Sequence, residues 1–182
     1  MHAFSRPGSV PGLARLQVSS EESSMINEIQ RTMIGHAALI LFIGMLAGFG
    51  LLVSLIGGIE LIPGTIMPIS IVGGTDAWVR AHTGGILNAL LILGVALALP
   101  PLGFRAQAAA RIKWMLVGTG WANTLFYWAA LLAPNRALSF ASNRFGPSSL
   151  LSVIGLGPAL LFVFISLFAA VLLARRAFAP RS

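Results

Sequence analysis

Four stretches of this 182-residue chain contain no Asp, Glu, Lys or Arg: residues 33–59, 81–104, 114–134 and 145–174. Together they make up more than half of its length. A helix rising ~1.5 Å per residue needs about 20 apolar residues to cross a ~30 Å hydrocarbon layer, and even the shortest stretch has 21. Only 9% of all residues are charged, against the ~25% typical of soluble domains, so the polar side chains are too few to cover a water-facing surface. In lipid every backbone N–H and C=O must find its partner inside the protein, and a helix provides this along its own length. The sequence therefore predicts an all-α integral membrane protein, a bundle of four transmembrane helices.

Orientation follows from the cations. Arg6, Arg15, Arg31, Arg105, Arg111, Lys113, Arg175, Arg176 and Arg181 fall on one side of such a bundle, and Arg80, Arg136 and Arg144 on the other with Glu60 and Asp76. The positive-inside rule then places both termini in the cytoplasm and makes the chain a multi-pass protein of the cytoplasmic (inner) membrane. The net charge of +7 is this loop bias and not a nucleic-acid surface, so no nucleic-acid partner is expected. The chain has no cysteine. That excludes disulfides, iron–sulfur clusters, thiolate zinc sites, cysteine nucleophiles and covalently attached c-type haem.

Residues 1–24 are rich in Ser, Pro and Gly, lack an apolar core of signal-peptide length, and read as a disordered extension, with Met25 as an alternative start. Residues 25–176 read as the membrane domain and 177–182 as a short basic tail. Gly44 and Gly48 have the GxxxG spacing that lets a second backbone approach closely. Residues 60–75, with Pro63, Pro68 and Gly73–Gly74, read as an irregular, turn-rich segment. Thr75 is expected to cap a helix over 76–99 that Pro100 and Pro101 stop. Trp114, Trp121 and Trp128 share one face of the third span, and Pro158 is expected to kink the fourth.

No span carries a carboxylate, which disfavours proton-coupled transport. The polar residues left inside the membrane include His36, His82, Asn88, Thr119, Asn123 and Tyr127. His36 begins the first span on the inner side and His82 lies near the outer start of the second, so much of the ~30 Å thickness is expected between them. Two axial ligands of one iron cannot bridge that interval. A metal would be held by one histidine, with its opposite face open. His82, in WVRAHTGG (78–85), is the better candidate: Gly84 and Gly85 would leave room for a flat macrocycle, and Arg80, Arg136 and Arg144 lie where propionates would emerge. The alternative for His82 is an interfacial histidine bonded to a loop carbonyl, and His36 is read as a packing or interfacial residue. Thr119, Asn123 and Tyr127 form a polar stripe at i, i+4 and i+8. Asn88, about 9 Å below His82 and about 120° around the helix, reaches the depth of Asn123 and Tyr127. These residues either line two walls of one pocket or bond helix to helix.

The segments RTMIGH (31–36), LIGGIELIPG (55–64), WVRAHTGGILN (78–88), LPPLGF (99–104), GWANTLFY (120–127) and PNRALSFASNRFGP (134–147) occur in this order. Together they resemble the styrene oxide isomerase family. The resemblance implies a four-span bundle, assembled as a homotrimer, that holds haem b through one histidine. The implied reaction converts an aryl or other lipophilic epoxide to an aldehyde by a Meinwald rearrangement. Ferric iron serves as Lewis acid for the epoxide oxygen, and a 1,2-hydride shift follows. His82 is then the axial ligand, and Asn88 and Tyr127 position the epoxide. Thr119 stands where the family carries an active-site aspartate, offering a dipole in place of a charge. An upstream monooxygenase and a downstream aldehyde dehydrogenase are implied partners. The rival readings are a non-catalytic membrane haem protein for electron transfer or sensing, and a cofactor-free scaffold or permeation protein.

Overall fold

The computed structural model describes residues 11–180: four helices, α1 (Pro11–Ile56), α2 (Thr75–Leu102), α3 (Ala106–Leu132) and α4 (Leu150–Ala177), and between α1 and α2 a hairpin of β1 (Gly58–Ile62) and β2 (Thr65–Pro68). Among the described residues, three segments are long and apolar enough to cross a membrane: Ser20–Ile56 of α1, α2 and α4. The 27-residue α3 is as long as its neighbours. It falls short in composition because it carries the three tryptophans with Asn123, Tyr127 and Thr119.

Three boundaries differ from the sequence reading. Helix α1 begins at Pro11, so residues 11–24 are helical where a disordered extension is expected; residues 1–10 lie outside the described residues. Proline favours the first helical position, where its missing N–H goes unused. Once a long helix exists, each added turn avoids the cost of nucleation. The turn-rich loop contains an antiparallel hairpin, with Gly58 opposite Pro68 and Ile59 opposite Met67. Pro63 and Gly64 make its corner, Gly64 taking φ +82° as the third residue of a type II turn requires. Helix α2 starts after Gly74, not after a Thr75 cap, and continues through Pro100 and Pro101 to a left-handed Gly103. Pro100 cannot donate to the carbonyl of Ala96, and the side-chain amide of Gln30 on α1 donates to it instead at 2.7 Å. The freed acceptor is satisfied, so the helix need not end. Helix α4 likewise runs unbroken through Pro158.

The helices pack as an antiparallel series. Gly44 meets Gly85 and Gly48 meets His82 across α1 and α2; Gly84 meets Tyr127 and Ile92 meets Gly120 across α2 and α3. One apolar cluster gathers Met33, Ile40, Ile92, Leu99, Ile112 and Val117. A second gathers Ala47, Trp78, Ala81 and Leu131 with Tyr127 and Trp128. Asn88 and Asn123, bonded to each other, lie between the two. At the far end of α3, the fully buried Asn135 organises the link to α4. Its amide donates to the carbonyls of Ser139 (2.8 Å) and Ala141 (3.1 Å), and its oxygen accepts from the Ala137 N–H and the Ser152 hydroxyl. These bonds hold Arg136 and Ala137 at φ +59° and +52°, a region that non-glycine residues seldom enter.

Candidate active site

Helix α1 supplies a seat for His82. The imidazole Nδ1 lies 2.9 Å from the carbonyl oxygen of Gly44. A carbonyl can only accept, so Nδ1 carries the proton, and in the neutral ring Nε2 keeps its lone pair. A Cβ at Gly48 would stand 2.9 Å from both Cε1 and Nδ1 of the same ring. The GxxxG pair thus does two things: Gly44 lets the α2 backbone approach at Gly85, and Gly48 leaves the space the imidazole fills. Sequence reading missed this pairing. The signal was present, since an antiparallel register that sets Gly44 on Gly85 also sets Gly48 on His82. The carbonyl that His82 meets belongs to a helix, not to a loop.

The room expected beside Gly84 and Gly85 is already occupied, which corrects that reading. The ring of Tyr127 covers Gly84, and the backbone of Gly44 covers Gly85. A glycine shows only that its own side chain is missing; the facing helix decides what fills the gap.

Asn88 is 8% exposed, and its Oδ1 accepts from Asn123 Nδ2 at 3.1 Å, while its own Nδ2 is buried without a partner. Asn88 and Asn123 therefore share one depth, and Tyr127 lies one helical turn away, against Gly84. Thr119 is not brought to them. It sits on the α3–α4 seam, where its hydroxyl donates to the carbonyl of Met115 (2.7 Å) and reaches that of Phe162 at 3.4 Å.

Arg80 lies 4.0 Å from Asp76, which is paired more closely with Arg136. The Arg80 Nε and Nη2 atoms are buried and have no hydrogen-bond partner. Arg136 and Arg144 both lie over the ring of Phe145, at 4.2 and 4.6 Å. His36 accepts a hydrogen bond from Trp121 Nε1 at 3.2 Å and has Trp114 at its edge. Eight residues of α1, about 12 Å, separate it from Gly44. That is less than the expected interval, because each histidine is recessed from its helix end.

Fold and site define a class: a helical protein with spans long and apolar enough to cross a membrane, in which one imidazole is seated on a facing helix and one buried amide donor has no partner. A profile of the styrene oxide isomerase family matches residues 29–178. The styrene-oxide isomerase of Pseudomonas fluorescens is 40% identical over 138 residues, covering 76% of this chain and 82% of that protein. The chain belongs to the styrene oxide isomerase family and is an isomerase.

Proposed function

We propose that this protein converts an aryl or similarly lipophilic epoxide to an aldehyde inside the membrane, with haem b held by His82. The observation that carries the reading is the bond from His82 Nδ1 to the Gly44 carbonyl, which turns the other ring nitrogen into a lone-pair donor. The unpartnered Arg80 nitrogens suit a propionate, since buried guanidinium donors are costly to leave unmade. His82 would supply one protein ligand and Arg80 a propionate partner. When bound, ferric haem would supply a Lewis acid.

The chain's own contributions are binding, orientation and exclusion of water. The buried Nδ2 of Asn88 donates toward an oxygen acceptor on the substrate, and Tyr127, packed on Gly84, limits how the aryl group lies. Rearrangement of an epoxide needs no added water and no general base. An apolar surround free of carboxylates disfavours opening to a diol. Thr119 is a packing residue in this reading, since its hydroxyl is satisfied within α3.

The electron-transfer alternative needs a second protein ligand, and His36 is committed to Trp121. The cation distribution supports four spans in the cytoplasmic membrane with both termini inside. Val79, Leu87 and Leu90 on α2 are exposed apolar residues that suit lipid or the neighbours of a homotrimer. An upstream monooxygenase and a downstream aldehyde dehydrogenase fit the proposed substrate and product. The test is incubation of membranes bearing the protein with styrene oxide. Phenylacetaldehyde above the level of control membranes is expected, and its absence from haem-loaded protein removes the proposal.

A further inference from the structure

We infer that Asn123 is a positioning residue that sets which end of the Asn88 amide faces the substrate, and so makes the site select for a hydrogen-bond acceptor. The inference deepens the proposed isomerase reading and rests on it. A primary amide is nearly symmetric in shape and opposite in chemistry at its two ends: the oxygen only accepts and the nitrogen only donates. Turned about its last torsion, Asn88 would fit its surroundings equally well and offer a substrate the wrong group. Its near-complete burial leaves no bulk water to compensate either end.

Asn123 removes the ambiguity. Its Nδ2 donates to Asn88 Oδ1 at 3.1 Å from the facing helix. Reversing Asn88 alone would bring two N–H donors together. As long as Asn123 presents its Nδ2, Asn88 is held with Oδ1 consumed by α3 and Nδ2 free, and that Nδ2 is a buried side-chain atom with no partner in the protein. An unmade donor in a low-dielectric interior is unfavourable. It becomes an asset when a ligand brings an acceptor with no proton of its own. An epoxide oxygen is such an acceptor, and so is the aldehyde oxygen of the product. An alcohol offers an acceptor too, but must also find a home for its proton.

The register makes the arrangement specific to this residue. Gly84 against Tyr127 and Asn88 against Asn123 lie one helical turn apart on the same α2–α3 seam. The face that holds Tyr127 in place thus also holds the amide. Thr119, one turn further along the stripe, bonds its own helix and contributes nothing to the polarity of Asn88.

Two unreactive probes of nearly equal size read this out without turnover: acetophenone, which carries a lone acceptor oxygen, and ethylbenzene, which has none. Equilibrium titration of the full-length, haem-loaded protein in detergent gives the ratio of their affinities. Comparing that ratio between variants cancels partition into the detergent. The expectation is a preference for acetophenone that falls about tenfold, one hydrogen bond's worth, in Asn123→Asp read at alkaline pH, where the ionised carboxylate can only accept and so turns Asn88 around. A smaller loss is expected in Asn123→Leu, where Asn88 is free to adopt either orientation. Asn88→Leu should abolish the preference outright. A wild-type ratio in both Asn123 variants, or a preference surviving Asn88→Leu, overturns the inference. Styrene oxide turnover by the wild type, measured alongside, keeps the two readings apart. A protein that discriminates between the probes but makes no phenylacetaldehyde loses the reaction and keeps the role of Asn123.

Discussion

At the residue scale the structure separates two histidines that look alike in the sequence. His82 rests on Gly44 and Gly48 with one nitrogen free; His36 sits between Trp114 and Trp121. His82→Ala is therefore expected to abolish the Soret absorbance of the purified protein and His36→Ala to retain it. Gly48→Val should lose it as well, because its side chain would occupy the imidazole's place. Gly35→Ala, where an added Cβ meets nothing within 4 Å, should be silent. Retained haem in both His82→Ala and Gly48→Val would show that the ligand lies elsewhere. Thr119 yields a different expectation from the one the resemblance suggests. A carboxyl group there would face the carbonyl oxygens of Met115 and Phe162, where it holds a proton and donates as the hydroxyl does. Thr119→Asp should turn over styrene oxide within about threefold of the wild type at matched haem loading, a small barrier change when ~1.4 kcal/mol is tenfold. A tenfold gain would mean that position 119 is electrostatically coupled to the reaction.

At the element scale, much was legible because helical periodicity is a local property. The common depth of Asn88 and Asn123 follows from 1.5 Å per residue and antiparallel connection alone. What could not be read were features decided by a partner helix. Pro100 and Pro101 are stop signals taken in isolation, but Gln30, distant in sequence, supplies the donor that Pro100 lacks. Arg176 of α4 likewise donates to the carbonyls of Leu102 and Gly103 at 2.8 and 2.6 Å, and so finishes α2. Gln30→Leu should destabilise the protein by about 1–3 kcal/mol, the cost of an orphaned buried acceptor. In a Pro100→Ala background, where the backbone again supplies an N–H to Ala96, the same change should cost clearly less. Thermal melts of the four proteins in one detergent give the coupling. Additive losses would show that Gln30 acts through something other than the Ala96 carbonyl.

For the whole molecule, the link between α3 and α4 shows how a loop can fix a bundle. Asn135 is buried at 0% exposure and bonds both to its own loop and to Ser152 in the first turn of α4. Ser149 and Ser152 close a capping box beside it. Asp76 reaches Arg136 in the same loop, which ties the start of α2 to the end of α3. The segment PNRALSFASNRFGP was legible as distinctive, but its purpose was not, because its hydrogen bonds close largely through Asn135 and Asn143, which sequence alone does not mark. Asn135→Leu, alike in side-chain branching, should cost about 2–4 kcal/mol by stranding several donors and acceptors at once. Arg144→Gln, exposed on the same loop, should cost under ~0.5 kcal/mol. Equal losses from the two would show that the loop is held by its charges and not by Asn135.

The seat of His82 also has a consequence for inheritance. The imidazole at 82 and the missing side chain at 48 occupy one volume, so neither position can drift alone. A lineage that gains alanine at 48 displaces its histidine in the same step, and one that loses the histidine no longer needs the glycine. Two sites 34 residues apart in the chain thus behave as a single heritable character. Comparison of related chains should find glycine at the position of 48 wherever histidine stands at that of 82, and relaxed choice there wherever it does not.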